Sequence, residues 1–323
     1  MAFTWMMTWL TACMEKTVNW ENTSSVPDTF FPAATRLVTG GAVLGGYVQG
    51  GDLGAIQDQR AAIYFWDGKS ASAVYDGPGW VVSLAADGAA VWAITATLDA
   101  SGADSRYRAL RSLDGGHSWA DCGVVPGTSI GQVLTVGADE AWVLGMETLL
   151  RTTDAGQHWV AVTAGGSRNS VTERLAKVGG RVVITGDGVR ATADGGLTWL
   201  DNGVDGSRVY AVDGGTLLAR HEGALKIGAM ASGGPLWLAS FPDTLQPFRL
   251  VVDGQTIRWL ALSSGADVGN GIKLYESLDA GQTWTAWRLP SQAKAEAADI
   301  AQGGRAVFLD TRRKIHAPPA ATN

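Results

Sequence analysis

Short apolar runs separated by turns rich in glycine and aspartate repeat along most of the chain. Near the middle, the runs read QVLTV, EAWVL, TLLRT and WVAVT, and the next group reads ERLAKV, RVVITG, GVRAT and WLDNG. Runs of this length with dense turn signals are typical of antiparallel β-strands. Four such strands in about 40 residues is the period of a β-propeller blade. The pattern therefore predicts an all-β chain built from repeated four-stranded units.

An eight-residue motif, called the box here, marks the connection from the third to the fourth strand of a unit. Its copies read SLDGGHSW, TTDAGQHW, TADGGLTW and SLDAGQTW, and they begin at Ser112, Thr152, Thr192 and Ser277. The last interval is about twice the others, which predicts a degenerate copy between them. MASGGPLW fits this position, with Ser232 in place of the aspartate and Trp237 at the final position. A motif repeated at intervals indicates architecture, because a reaction centre is normally built once.

The residue types of the box fit a tight turn. A carboxylate before a glycine can accept several backbone N–H groups, and the glycine takes a backbone conformation that other residues resist. The tryptophan can cover the hairpin with a large apolar face. The positions expected to have this structural role are Ser112, Asp114, Gly116, Trp119, Thr152, Asp154, Gly156, Trp159, Thr192, Asp194, Gly196, Trp199, Trp237, Ser277, Asp279, Gly281 and Trp284.

Further strands extend the pattern to seven blades. Upstream, TRLVTG, AVLGGYV, AAIYFWDG and SAVYD form a blade; downstream, AADIAQ, RAVFLD and RRKIHAP supply only three strands. An open edge is poorly tolerated in a closed ring. KTVNWENTS resembles a fourth strand, with Trp20 placed like the box tryptophans, so we expect it to close the last blade. The predicted organisation is an N-terminal aromatic segment with the ring-closing strand (1–24) and a seven-bladed β-propeller of four-stranded antiparallel blades (25–323).

The box resembles the BNR repeat, or Asp-box, of sialidases and related propellers. The copy at Thr152 departs from that pattern at His158, where a hydroxyl is usual. The resemblance implies a sialidase-like fold, but the Phe-Arg-Ile-Pro motif that supplies the first catalytic arginine of sialidases is missing. The nearest string is Phe248-Arg249-Leu250, which we interpret as an ordinary inward-facing strand, and no glutamate has a setting that suggests a second carboxylate at glycosidase distance. We therefore expect no catalytic residues, with a sialidase-like glycoside hydrolase as an alternative.

The short blades also resemble the photosystem II assembly factor of cyanobacteria and chloroplasts. Those relatives bind protein, and the photosynthetic ones have a basic patch. This chain has a net charge of −6 and a pI of about 5.2, and its sequence shows no basic cluster. The acidic balance argues against nucleic acid as a partner. No segment approaches the length of a membrane span, and we expect no metal or other cofactor. Two cysteines, Cys13 and Cys122, exclude a disulfide framework, and we expect two free, buried thiols.

Blade geometry sorts the loops onto two faces, with long second-to-third-strand loops and the blade linkers on the face away from the boxes. Elaborated loops on a rigid scaffold often bind a partner, although they can also be tolerated insertions. The candidate binding residues there are Asp52, Gln57, Asp58, Arg60, Asp104, Arg106, Arg168, Asn169 and Asp267. Other protein subunits and surface glycan are the partners that such a face suggests.

The N-terminus is the second candidate for contact with a partner. Phe3, Trp5, Met7 and Trp9 alternate with less apolar positions, the period of a strand. We expect this strand to dock on the propeller itself or on a neighbouring subunit. Leu10 to Cys13 resembles a lipobox, but no Lys or Arg precedes Lys16.

These observations lead to a functional hypothesis. The chain is a non-catalytic binding or scaffold propeller in a larger assembly, such as an adhesin-type or structural component of a phage virion (a tail or spike accessory). An extracytoplasmic lipoprotein with Cys13 lipidated is the main alternative.

Overall fold

The computed structural model describes the chain from Cys13 to Ala317 with gaps. The described residues are 13–17, 21–51, 58–98, 102, 105–164, 173–202, 207–231, 234–242, 244–263, 271–288, 295–301 and 305–317. Side chains are described from Ser24 onwards. These residues form a seven-bladed β-propeller whose seven sheets are antiparallel meanders, as predicted. No described helix is long and apolar enough to cross a membrane.

The first four blades follow one another along the chain. Blade 1 contains β3 (Phe30–Val38), β4 (Gly41–Gln49), β5 (Gln59–Trp66) and β6 (Ala71–Pro78). Blade 2 contains β7 (Trp80–Asp87), β8 (Ala90–Leu98), β9 (Ser105–Ser112) and β10 (Ala120–Val125). Blade 3 contains β11 (Ile130–Thr135), β12 (Ala141–Gly145), β13 (Leu149–Thr152) and β14 (Val160–Ala161). Blade 4 contains β15 (Arg174–Val178), β16 (Arg181–Gly186), β17 (Gly188–Thr192) and β18 (Leu200–Asn202).

The last three blades include the N-terminal strands. Blade 5 contains β19 (Ser207–Asp213), β20 (Thr216–His221), β21 (Ala224–Ala231) and β22 (Gly234–Phe241). Blade 6 contains β23 (Leu245–Asp253), β24 (Thr256–Ser263), β25 (Gly271–Ser277) and β26 (Trp284–Arg288), with β1 (Cys13–Thr17) added outside. Blade 7 contains β27 (Ala295–Ile300), β28 (Ala306–Asp310), β29 (Lys314–Ala317) and β2 (Glu21–Ser25).

The ring closes through the N-terminal strand, as predicted. β2 pairs antiparallel with β29, with Glu21 opposite Ala317 and Ser25 opposite Lys314. Trp20 lies outside the described residues. The sequence did not predict β1, which pairs in parallel with β26 and makes blade 6 five-stranded.

Apolar side chains fill the space between neighbouring blades. The second strand of each blade is mostly buried, and β12 and β28 are buried throughout. Phe241 of blade 5 meets Trp259 and Trp284 of blade 6 edge to face, with ring centroids 4.8 and 5.2 Å apart. Edge-to-face contact is a preferred geometry for aromatic rings and adds to the apolar burial. The sheets are therefore joined by side-chain packing between blades.

The free edges of the innermost strands are bridged by side chains from the next blade. The Gln132 amide accepts from Leu175 N and donates to Leu175 O. Carboxylates do the same at two other junctions, where Asp213 accepts from Val252 N at 2.7 Å and Asp299 accepts from Leu37 N at 2.8 Å. These bonds satisfy backbone groups that an unpaired strand edge would leave open. They also hold the innermost strands around a central channel.

The two faces of the propeller differ in their connections. Box turns lie beside first-to-second-strand turns, since Gly115 N donates to Ala89 O and Ala280 N to Gln255 O. We call this the box face, and the opposite one, with the second-to-third-strand loops and blade linkers, the loop face.

The cysteine expectation needs a correction. Cys122 is a free thiol but is half-buried instead of buried, because β10 is the outermost strand of its blade. Cys13 belongs to β1, and its side chain lies outside the described residues.

Candidate functional site: the central channel

The box turns have the same internal hydrogen bonds in four blades. In blade 2, Asp114 Oδ1 accepts from the Ser112 hydroxyl at 2.7 Å and from Ser118 N at 2.9 Å, while Oδ2 accepts from the Ser118 hydroxyl at 2.5 Å. Gly116 N donates to Ser112 Oγ at 2.8 Å. The same bonds recur around Asp154, Asp194 and Asp279, with the His158 ring replacing the hydroxyl in blade 3. Each carboxylate is thus engaged within its own turn.

These hydrogen bonds favour the ionised carboxylates. The Thr198 hydroxyl and backbone N–H lower the pKa of Asp194 to about 2, and Thr283 does the same for Asp279. The His158 N–H and ring lower the pKa of Asp154 to about 2. For Asp114, burial raises the pKa, but the bonds from Ser118 and Ser112 outweigh it and hold the pKa well below its usual range. A group held this firmly as an anion by its own turn is poorly suited to exchange protons near neutral pH.

Each box turn also packs against the preceding blade. Gly116 has φ +100°, and a Cβ there would lie 2.4 Å from Val43 Cγ2 in blade 1. Trp159 of blade 3 meets Trp92 of blade 2 edge to face at 6.3 Å, and Trp199 of blade 4 meets Trp142 of blade 3 at 6.2 Å. The box therefore joins neighbouring blades as well as closing its own hairpin, which gives a structural reason for many of the tryptophans.

Blade 5 differs from the degenerate box expected there. Ser232 lies outside the described residues, but the flanking strands pair up to Ala231 opposite Gly234. Two residues separate these paired positions, whereas seven residues, 113–119, separate β9 from β10 in blade 2. Trp237 lies within β22, opposite Gly228. The proline at position 235 and the missing aspartate remove the groups that hold the longer turn. Trp237 stacks on His221, with ring centroids 4.9 Å apart.

The loop-face candidates are described only in part. Asp52, Gln57, Asp104, Arg168, Asn169 and Asp267 lie outside the described residues, as do Phe3, Trp5, Met7 and Trp9 of the docking strand. Arg60 pairs with Asp76 in the neighbouring strand of its own blade at 2.7 Å, and both are exposed. Asp58 precedes β5, where its carbonyl accepts from Gly50 N, and Arg106 lies in β9. The described members thus sit on blades 1 and 2.

Sequence reasoning did not identify the central channel, where the structure gathers charged side chains. Its loop-face half is a cavity of about 600 Å³. The mouth is lined by Met146, Phe248 and Leu262, whose side chains are partly exposed although apolar. Arg36 and Arg174 also line this half. The cavity therefore combines an apolar mouth with cationic walls.

Carboxylates in the loop-face half are neutralised within the protein. Glu173 is the acidic side chain among the described lining residues, and it is buried and paired with Arg190. Burial lowers the pKa of Arg36 below its ordinary value; Asp299 raises it, and Arg249 lowers it further. Burial also lowers the pKa of Arg174, with Arg208 adding to the effect. Arginine remains charged under these conditions, so the lowered pKa values record guanidinium groups that are partly removed from water.

The box-face half of the channel, about 550 Å³, holds paired charges. Lys177 pairs with Asp87, and Arg249 Nε lies 3.0 Å from Asp299 Oδ1 as an ion pair without hydrogen-bond alignment. Arg305 donates to Val38 O at 2.8 Å. Arg36 and Arg174 line this half as well, and it differs from the loop-face half in also holding acidic side chains that pair with its cations.

Four innermost strands supply the arginines. Arg36, Arg174, Arg208 and Arg249 belong to β3, β15, β19 and β23, which are far apart in the chain. Four isolated arginines do not form a recognisable motif, and only the ring geometry brings them together. The one signal in the sequence that could have identified these arginines is that each lies in the first strand of its blade.

The described residues offer little for metal binding, since no group of three or more His, Cys, Asp or Glu among them could hold a metal ion.

Comparisons with known proteins place the fold. The sequence matches no protein-family model and no curated protein. Solved structures do match. One, described as YCF48 bound to D1 peptide, has 16% identity, a TM-score of 0.60 and coverage of 93% of this chain and 95% of that one. A GH74 enzyme of Niastella koreensis has 14% identity, a TM-score of 0.60 and coverage of 88% and 52%. The propeller domain of the trilobed protease from Pyrococcus furiosus has 10% identity, a TM-score of 0.60 and coverage of 90% and 96%. At these identities the likeness establishes the fold, a seven-bladed β-propeller.

Proposed function

We propose that this chain is a non-catalytic binding propeller that holds an acidic segment of a protein partner in the loop-face half of its channel. The observation that carries the proposal is the cavity itself, in which apolar side chains surround the mouth and Arg36 and Arg174 line the wall. A partner with carboxylates next to apolar side chains complements both parts. The similar structure of YCF48 with a D1 peptide supports a peptide as the class of ligand.

The charges that line the cavity favour an anionic partner, although the chain as a whole is acidic. The net charge of −6 is a property of the entire chain, whereas a cleft with walls of low dielectric concentrates the field of the charges that line it. Since Glu173 is already paired with Arg190, a carboxylate entering the cavity meets arginines first. Carboxylate and guanidinium groups form strong, charge-assisted hydrogen bonds.

The glutamates support a non-catalytic role. Glu140 pairs with Arg151, Glu173 with Arg190 and Glu276 with Arg258, each within its own blade. A glycosidase needs two carboxyl groups flanking a substrate bond, and these three are engaged in structural ion pairs. A panel of chromogenic glycosides tests the alternative, for which the similar GH74 enzyme gives a substrate class to begin with.

The binding role is tested with a defined probe. A fluorescent peptide of alternating glutamate and leucine is titrated with the protein, and its glutamine-for-glutamate counterpart is the control probe. We expect the protein to bind the acidic peptide and not its glutamine counterpart. In Arg36→Gln or Arg174→Gln, the affinity for the acidic peptide should fall about tenfold or more. Arg60→Gln is the matched control, because Arg60 is an arginine paired outside the channel. Equal affinity in all variants would exclude the channel as the site.

We propose that the partner belongs to a larger assembly, such as a virion tail or spike, with an extracytoplasmic lipoprotein as the rival. The apolar, uncharged stretch before Cys13 supports a segment that contacts protein or membrane. Sedimentation of the native protein from its source, with mass spectrometry of the co-sedimenting proteins, tests the assembly. A diacylglyceryl group on Cys13 would favour the lipoprotein.

A further inference from the structure

Blade 6 differs from the other blades at its outer edge. β1 adds a fifth strand there, parallel to β26, with Cys13 opposite Trp284. Trp284 is 2% exposed, whereas Trp119, Trp159 and Trp199 at the same box position are half-buried. The N-terminal chain therefore reaches the one box tryptophan that is fully covered.

The start of β1 fixes where the preceding residues enter. The Trp284 indole donates to Gly281 O at 3.0 Å. A Cβ on Gly281 would lie 3.4 Å from Leu238 Cδ1, and Leu238 belongs to β22, the outer strand of blade 5. β1 therefore begins close to the junction of the blade 6 box turn and the outer strand of blade 5.

Three exposed leucines belong to the strand and the box turn that meet at this junction. Leu236 and Leu238 of β22 are 64% and 36% exposed, and Leu278, at the second position of the blade 6 box, is 65% exposed. Apolar groups gain free energy when removed from water, and neighbouring ones in soluble proteins commonly mark a contact surface. We call these three residues the leucine patch.

The chain before β1 has the chemistry and the length to cover the patch. Residues 1–12 read MAFTWMMTWLTA, without a charged side chain. Extended, they can span about 40 Å. In a strand, Phe3, Trp5, Met7 and Trp9 share one side, which presents a continuous apolar surface.

We propose that residues 1–12 continue from β1 across the blade 6 box turn and pack their aromatic side on the leucine patch of the same molecule. The N-terminal chain then joins blades 5, 6 and 7, because β1 lies on blade 6 and β2 completes blade 7. This contact is independent of the channel and of any partner bound there.

Cross-linking tests the proposal. Thr8→Cys keeps every apolar side chain of the segment, and it is combined with Leu278→Cys in a protein whose native cysteines are changed by Cys13→Ser and Cys122→Ser. The matched control keeps both cysteines and adds Trp5→Ser and Trp9→Ser, which leaves the attachment at β1 unchanged and removes two of the four side chains of the aromatic side. A short bis-maleimide is added to dilute protein, and tryptic peptides are analysed by mass spectrometry.

The expected result is an intrachain product that forms about tenfold faster, or more, with the aromatic side chains than without them, because docking raises the effective concentration of the two thiols above the value given by attachment at β1. Equal rates in the two proteins would overturn the proposal. Products that join isotopically light and heavy copies would also overturn it, since they would assign the patch to a second copy.

Discussion

The box turns and the central channel differ in how they hold charged side chains. Each box carboxylate receives its hydrogen bonds from its own turn, and nearly the same bonds are built in blades 2, 3, 4 and 6. The channel instead gathers arginines that differ from blade to blade, and burial lowers the pKa of Arg36 and Arg174. Repetition with complete local bonding indicates architecture. Departure from the repeat, with cationic side chains on the wall of a cavity, indicates a binding site.

The largest effect expected from breaking the architecture is at Trp284. This side chain is buried and lies against Phe241 and Trp259, so Trp284→Ala leaves a cavity between blades 5 and 6. We expect a loss of about 3–5 kcal/mol in the free energy of unfolding, measured by guanidinium denaturation. Leu113→Ala, at an exposed box position, should stay within about 0.5 kcal/mol. A loss below about 1 kcal/mol at Trp284 would contradict the assigned role of the box.

The bridges between innermost strands should have a smaller effect. Asp299→Ala removes the acceptor for Leu37 N at the seam between blades 7 and 1, and we expect a loss of about 2 kcal/mol. Asp213→Ala removes the acceptor for Val252 N at an ordinary junction. Similar denaturation midpoints for the two variants would show that the seam is as well joined as the other junctions. Because Asp299 also pairs with Arg249, a much lower midpoint for Asp299→Ala would show that this ion pair strengthens the seam as well.

Acid should weaken the box turns by protonating their carboxylates. Hydrogen bonds from Thr198 and Thr283 lower the folded-state pKa of Asp194 and Asp279 to about 2, below the unfolded value of about 4. Their contribution is therefore fully present above about pH 4 and is lost as the pH falls towards 2. Urea midpoints measured across this range should fall less steeply in the double variant Asp194→Asn, Asp279→Asn. An unchanged slope would show that other groups govern acid unfolding.

The smallest effect on stability is expected from a surface ion pair. Arg60 and Asp76 form an ion pair at 2.7 Å with both side chains exposed, and such pairs contribute roughly 0–1 kcal/mol. Arg60→Gln should therefore leave the thermal midpoint almost unchanged. A clear drop would mean that this pair orders the loop before β5.

The architecture could be predicted from the sequence because it repeats. Alternating runs and turns gave the strands, the spacing of Asp114, Asp154 and Asp194 gave the blade period, and an incomplete last blade gave the closing strand. The degenerate box predicted in blade 5 was wrong. Trp237 has the spacing of a box tryptophan, but the aspartate is missing and the two strands pair up to Ala231 and Gly234.

The channel could not be predicted in the same way. Arg36 and Arg249 are more than 200 residues apart, and they come together only after the ring closes between blades 7 and 1. No local pattern distinguishes them from arginines such as Arg60, which pairs within its own blade. β1 was also missed, because a parallel fifth strand is not part of the repeat.

The central claim is that the boxes hold the propeller together and the channel arginines serve binding. The most direct test measures both properties in one variant, Arg36→Gln combined with Arg174→Gln. We predict a thermal midpoint close to that of the wild type, because Arg174 is exposed and Arg36 half-buried and such charges contribute little to stability, together with loss of binding to the glutamate–leucine peptide. A lower midpoint with binding retained would contradict the account, since it would make the arginines part of the architecture and leave the site elsewhere.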